Sequence, residues 1–388
     1  MEPTMHHIDL TDPRDVACAW SAIVEPGDEA AAILREHLGA AEALEWLLAH
    51  PDPTALPRAL RVNAQGEPRP WVRAIERWMP RIDSLNVQRD LEILSKVDGH
   101  VLYPGHPHWP KELNDLGLGT PPALWIRGTI GDSPRIGIVG ARAASAMGTS
   151  IARDFAWELA RDGIDIVSGG AFGIDAAAHR GALTQGRTIA LMAGGVANLY
   201  PIAHLDLFDD IIENGAIISE SPPLWRPARW RFLARNRLIA ALSHACIVVE
   251  ANSRSGALAT IRRAIDLNRP VGAVPGPITS QTSSGCHHII RQGATLISSA
   301  TEARELIDDV GAHLFDLDQP NISGGSEAWR SLNATQKRIW DALPAKAATT
   351  AVKIARIAGL SCHEVTSELA TLTVKGLIRI DGEHIRRA

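Results

Sequence analysis

Unbroken runs of aliphatic residues punctuate the middle of the chain, most of them ending on glycine or another small residue. Ile136–Val139, Ile164–Val167 and Ile189–Met192 come first; Ala216–Ser219, Ala245–Val249, Val271–Val274 and Thr295–Ile297 follow. A strand buried on both faces reads as such a run rather than as an alternation of apolar and polar positions. Between the runs lie segments of helical character, starting near Ala144, Ile174, Ala203, Arg229, Gly256 and Ser284, with a last helix over Thr301–Val310. Strand and helix in alternation predict right-handed crossovers and an α/β fold, a doubly wound, mostly parallel sheet in three layers. The carboxyl ends of such strands open into a crevice where backbone N–H groups and helix N-termini converge, a place that favours phosphate.

The flanks have other patterns. Residues 1–98 read as an alanine-rich helical domain broken at Pro51, Pro53, Pro57, Pro68 and Pro70, with Trp46, Trp71 and Trp78 as core anchors. The α/β domain then spans 99–310, and its proline- and aromatic-rich lead-in up to Gly131, with short extended pieces such as Ala123–Arg127, is expected to pack against the sheet. Residues 311–328 are polar and carry Pro320, Gly324 and Gly325, a linker by composition. Residues 329–388 form a separate domain with helices over Ala334–Ala342, Ala351–Ala358 and Cys362–Lys375, the last with a Ser361/Glu364 capping box. A hairpin turning at Asp381-Gly382 completes a winged-helix pattern.

Composition narrows the function classes. The 388 residues are 45% hydrophobic and 21% charged, ordinary globular values. No apolar run approaches the ~18 residues of a membrane span, and the N-terminus lacks the features of a signal peptide. A cytoplasmic protein without membrane attachment is expected. The four cysteines (Cys18, Cys246, Cys286, Cys362) are unpaired in spacing, which indicates neither disulfides nor structural zinc. His100, His106 and His108, or Cys286 with His287 and His288, lack a complete ligand set, so no metal or other cofactor is expected. A net charge of −5 argues against a generic basic nucleic-acid binder.

Charge distribution changes that picture. Between Glu220 and Pro270 there are nine arginines and no lysine, against three acidic residues; from Trp329 onward ten Lys/Arg face five Asp/Glu. Arginine without lysine points to planar, forked contacts with phosphate or to base stacking. The plain alternative is that some of these arginines pair with acids of a neighbouring domain. At the strand ends, Gly140-Ala141-Arg142 lacks the GxGxxG signature, and Ser168-Gly169-Gly170 stands where a dinucleotide enzyme would carry a ribose-binding acid. Asp175 and His179, at i and i+4, allow an acid/base pair, but a helix-start acid with a histidine packed beneath it is the plainer reading. Ser255 lies outside any GxSxG frame and reads as a helix cap with a phosphate-facing hydroxyl.

At these residues the chain resembles the DprA/Smf family, DNA processing protein A. The matching blocks run in order over about 200 residues: VGAR (Val139–Arg142), SGGAFGIDAAAH (Ser168–His179), TIALMAGG with Tyr200-Pro201, and ARNRLIAALS (Ala234–Ser243). VVEANSRSGALAT (Val248–Thr260), VPGPI and GCHHIIRQGATLI (Gly285–Ile297) follow. The resemblance implies a Rossmann-like domain that binds single-stranded DNA, protects incoming DNA and loads a RecA-type recombinase during natural transformation. It implies a homodimer formed through that domain, and no catalytic turnover. It marks Arg142 as the leading DNA contact, with Ser168, Gly169, Gly170, Phe172, Gly173, Arg235, Asn236, Arg237, Arg254, Ser255 and Gly256 in the same site. His287, Ile290 and Leu296 are candidate dimer contacts. Phe172 departs from the family pattern, standing where many members carry a basic residue and offering a ring for base stacking. The alternative enzyme reading is a nucleotide 5′-monophosphate phosphoribohydrolase on a similar sheet. The comparable turn here, Ser253 to Ile261, lacks the glutamate of that group's PGGxGTxxE motif. A sequence-specific regulator acting through the winged helix is a third possibility, weakened by a helix after Ser361 with no Arg or Lys before Lys375.

Overall fold

Nine strands pair into one sheet: β1 (Gly99–Leu102), β2 (Leu124–Gly128), β3 (Arg135–Val139), β4 (Asp165–Gly169), β5 (Thr188–Leu191), β6 (Gly215–Ser219), β7 (Ala245–Val248), β8 (Val271–Ala273) and β9 (Thr295–Leu296). A computed structural model of the chain describes residues 8–49, 51–308, 332–344, 348–375, 377–382 and 384–387. The strand order is β1-β2-β6-β5-β4-β3-β7-β8-β9. From β6 to β9 every neighbouring pair is parallel. The chain starts at β3, steps outward through β4, β5 and β6, then returns to the other side of β3 for β7, β8 and β9. This is the doubly wound, Rossmann-like sheet expected from the alternating pattern. Strand limits match the apolar runs to within two residues.

The lead-in differs from expectation. It does not merely pack on the sheet but extends it: β2 runs antiparallel to β6, and β1 antiparallel to β2. The final helix of this region, Ala300–Glu305, is shorter than the Thr301–Val310 expected. Val310 and the 311–328 linker lie outside the described residues.

Helices cover both faces of the sheet because successive strand side chains point to opposite sides. Ile136, Ile138, Ile166 and Ile247 are buried against helices Ala146–Arg161 and Ile174–Ala182. Val139, Val167, Ile189, Leu191 and Val248 pack against helices Arg229–Leu242 and Gly256–Asp266. The N-terminal helices share a core with the sheet: Trp20, Leu44, Trp71 and Trp78 belong to one buried cluster with Trp125, Ala190, Phe208 and Ile217. The Trp125 indole donates to the Ser21 hydroxyl at 3.0 Å, both groups being buried. The chain up to Asp308 accordingly forms one compact unit.

A second unit follows. Its described part contains helices Ala334–Asp341, Ala351–Ala358 and Cys362–Val374 and the antiparallel hairpin Ile378–Asp381/His384–Arg387 around a small apolar core. The expected capping box is present: Ser361 Oγ accepts from the Glu364 N–H, and the Glu364 carboxylate accepts from the Ser361 N–H. Among the described residues no helix is long and apolar enough to cross a membrane.

Candidate nucleic-acid interface

The strand order reverses between the parallel neighbours β3 and β7, so the loops leaving them diverge and a crevice opens outside their carboxyl ends. The cavity there has a volume of about 750 Å³. Gly140–Ala143 line it from the β3 side and Asn252–Ala257 from the β7 side, with Phe232, Arg235 and Asn236 contributed by helix Arg229–Leu242. Ser255 caps helix Gly256–Asp266, its hydroxyl accepting from the Ala257 N–H at 3.2 Å. That helix therefore starts at the cavity wall, with its positive dipole end beside it.

Arg235 forms the floor. The side chain is buried, one terminal nitrogen donates to the Leu191 carbonyl, and Nε is buried without a partner. Gly169 makes room for it, since a Cβ there would collide with the guanidinium and crowd Asp175. Asp175 is the neighbouring acid; burial raises its pKa, and Arg235 and Arg142 pull in the opposite direction. Burial pushes Arg235 down to about 10. Among the described residues no carboxylate comes within ion-pair distance of Arg142, Arg235 or Arg254. Both Arg142 and Arg254 are exposed.

Aromatic rings border this cationic cluster. Arg142 lies over the Phe232 ring, 4.9 Å from its centroid, and Tyr200 meets Phe232 edge-on at 6.3 Å. Phe172 is 48% exposed and rests with its edge on the His204 ring at 4.4 Å. A smaller hollow between them is lined by Arg142, Gly170, Phe172, Tyr200, Phe232 and Arg235. Guanidinium groups without ion pairs beside exposed rings suit a polyanion with stacking bases.

The DNA recombination-mediator protein A family model matches residues 100–308, the whole of the sheet and its crevice. A DprA sequence of Mycobacterium tuberculosis, a DNA processing protein, is 40% identical over 303 residues, spanning 74% of this chain and 77% of that one. The chain belongs to the DNA recombination-mediator protein A family. Among solved structures, DNA processing protein A of Streptococcus pneumoniae superposes with a TM-score of 0.60 at 28% identity, over 76% of this chain and 97% of that one. The Helicobacter pylori protein, studied for its single-stranded DNA binding mode, gives a TM-score of 0.50 at 30% identity, over 54% of this chain and 96% of its own.

Not every residue assigned to the site from the family motifs lies in the crevice of this family member. Arg142, Arg235, Asn236, Arg254, Ser255 and Gly256 all line it. Gly170 and Phe172 line the adjoining hollow. Gly173, at φ +78°, starts helix Ile174–Ala182 where the Ala141 and Arg142 carbonyls leave no room for a side chain. Arg237 is a correction: its terminal nitrogens donate to both Glu220 carboxylate oxygens at 2.5 and 2.6 Å, and Nε donates to the Gly119 carbonyl at 3.0 Å. It serves packing, not the crevice. Ser168 is another, its buried hydroxyl donating to the Ile138 carbonyl at 2.6 Å and so directed away from any phosphate. Gly169 acts through the space it leaves for Arg235 and not as a phosphate cradle.

Other arginines are taken up by ion pairs, one of them, Arg231, with the N-terminal helices as the plain alternative has it. Arg231 donates twice to Glu25 of the N-terminal helices at 2.9 Å, and Arg269 pairs with Asp115 at 2.5 Å. His179 is buried between the Thr188 hydroxyl (2.7 Å) and the Gly169 carbonyl (2.9 Å). Of the candidate dimer contacts, His287 turns inward to the Gly276 carbonyl at 2.9 Å and Ile290 is partly buried. Leu296 is half-exposed on the edge strand β9. Phe232 was not among the expected site residues, although its position three residues before Arg235 on one helix puts both on neighbouring parts of the same face.

Proposed function

We propose that this protein binds single-stranded DNA in the β3/β7 crevice, with Arg235 at the floor, Arg142 and Arg254 at the mouth, and Phe172, Tyr200 and Phe232 as stacking surfaces. The observation that carries the reading is the buried Arg235, whose neighbouring acid Asp175 stays beyond ion-pair distance and whose Nε has no acceptor among the described residues. A buried cation of this kind costs stability unless an anion completes it. The phosphate of a nucleic acid is such an anion. The helix start that a phosphoribohydrolase would use carries Ser255 and Gly256 and no glutamate, so the binding reading is preferred to the enzymatic one.

The family name supports a further step, in which the protein protects bound DNA and delivers it to a RecA-type recombinase without chemical turnover, in the cytoplasm of a transformable cell. A homodimer formed along the β9 edge, with Leu296 as its exposed apolar residue, fits this role. The second unit reads as a winged helix suited to protein contact, because helix Cys362–Val374 carries Glu364 and Glu368 and no Lys or Arg.

Fluorescence anisotropy of a labelled dT oligomer tests the central claim. Arg142→Glu is expected to weaken binding by at least about tenfold through loss of a charged contact and introduction of a repulsive one. Raising salt weakens wild-type binding through counterion release. Equal affinity of Arg142→Glu and wild type would overturn the reading.

A further inference from the structure

A second cavity, of about 780 Å³, lies among the N-terminal helices and the loops leading into β2, and shares no lining residue with the crevice. Its wall is mostly apolar, formed by Leu10, Val16, Trp20, Ala41, Tyr103 and Leu118, with Thr11, Glu36 and Thr120 at its polar positions. One cation stands in it. Arg35, on helix Glu29–Leu38, donates to the Thr120 carbonyl at 3.4 Å, and its Nε is buried without a hydrogen-bond partner. Among the described residues no carboxylate is within ion-pair distance of Arg35; Glu36 borders the cavity but is exposed to solvent. Burial pushes Arg35 down to about 10, opposed only by the more distant charge of Asp28.

A partly buried guanidinium whose Nε is shut off from water and which has no counter-ion is costly, and one set in a mostly apolar cavity of small-ligand size fixes the chemistry of what would complete it. We propose that this cavity binds a small amphipathic carboxylate, its carboxylate forked on Arg35 and its alkyl or aryl body against Trp20, Val16 and Leu118. The planar guanidinium matches the carboxylate in geometry as well as charge. A phosphate diester would bring two polar arms into an apolar wall, which separates this site from the crevice.

Isothermal titration of the full chain with octanoate, and with octanol as the neutral isostere, tests the proposal. Octanoate is expected to bind at one site and at least about tenfold more tightly than octanol, the difference being the charged hydrogen bonds to Arg35. Arg35→Met should remove that preference, leaving octanol affinity unchanged. Ala41→Trp, which fills the cavity, should abolish binding of both. The proposal fails if octanoate does not bind, if the wild type binds the two probes equally, or if folded Ala41→Trp binds octanoate as wild type does. Should Arg35→Met not fold, the octanoate-to-octanol ratio of the wild type and the Ala41→Trp titration still decide.

Discussion

Arg235 and Arg237 sit two positions apart on one helix and are both buried, yet they do opposite things. Arg237 has Glu220 across from it in a two-pronged ion pair, with the Gly119 carbonyl taking its third donor. Arg235 faces the crevice with one carbonyl contact, an acid held off beyond ion-pair distance and an orphaned Nε. Burial and residue type are the same; the counter-ion is different. A completed pair is part of the fold, whereas an incomplete one marks where a ligand's charge belongs.

The comparison can be broken by stability and binding measured on the same pair of variants. Arg237→Met leaves Glu220 buried without its partner, and unfolding in urea should show a loss of about 3–5 kcal/mol. Arg235→Met removes a cation that makes no ion pair but favours the charged form of the buried Asp175, so it should lose less stability than Arg237→Met. In dT-oligomer binding the order reverses. Arg235→Met should lose about 1.5–3 kcal/mol, the worth of charged hydrogen bonds to phosphate, while any folded fraction of Arg237→Met binds normally. If Arg235→Met proves the less stable of the two, the assignment of roles is wrong.

Which of the two arginines faces the crevice was not legible in the sequence. Positions i and i+2 on a helix are separated by about 200° around its axis, so one of them must point away, but the strand contacts that decide the rotation are tertiary. Ser168 misled for a similar reason: a hydroxyl at a strand end can face a ligand or the neighbouring strand's backbone, and here it takes the Ile138 carbonyl. The strands themselves were legible because burial on both faces demands unbroken aliphatic runs such as Ile136–Val139. β2 was legible as the extended piece Ala123–Arg127, but its place and that of β1 in the sheet were not, since they depend on pairing with β6, far along the chain. The arginine-rich composition divides in the structure, with Arg231, Arg237 and Arg269 taken up by Glu25, Glu220 and Asp115, while Arg235 and Arg254 line the crevice.

His179, beneath the same crevice, sharpens the comparison through pH. Its ring is fully enclosed, and burial lowers its pKa to about 4, with the positive charges of Arg235 and His204 acting in the same direction. Below pH 6.5 the unfolded chain takes up a proton at this position and the native state does not, so the unfolded state binds more protons and stability falls as pH falls. The loss starts near the unfolded value of 6.5, ends near 4, and reaches about 2 kcal/mol at pH 5 at 1.36 kcal/mol per pH unit. Urea unfolding at pH 7 and pH 5 measures it. His179→Gln keeps a donor for the Gly169 carbonyl and cannot titrate, so its stability should fall less than wild type over that interval; parallel curves would remove His179 as the cause.

The smallest effect concerns the exposed ring of the hollow that adjoins the crevice. Phe172 is 48% exposed and held edge-on by His204, oriented by a neighbour and still open to solvent on its remaining surface. A base stacking on it gains dispersion and apolar burial, worth about 1 kcal/mol or somewhat more per base, and releases no counterion. Phe172→Ala should therefore weaken dT-oligomer binding several-fold with the slope of log affinity against log salt unchanged, whereas Arg142→Ala should reduce that slope by about one. Phe172→Arg supplies the decisive arm. If the ring acts by stacking alone, the arginine variant binds more tightly at low salt and loses that advantage as salt rises, because its contribution is now a phosphate contact. An unchanged affinity in Phe172→Ala across all salt concentrations would mean that the bound strand passes Arg142 and Arg235 without reaching this side of the crevice.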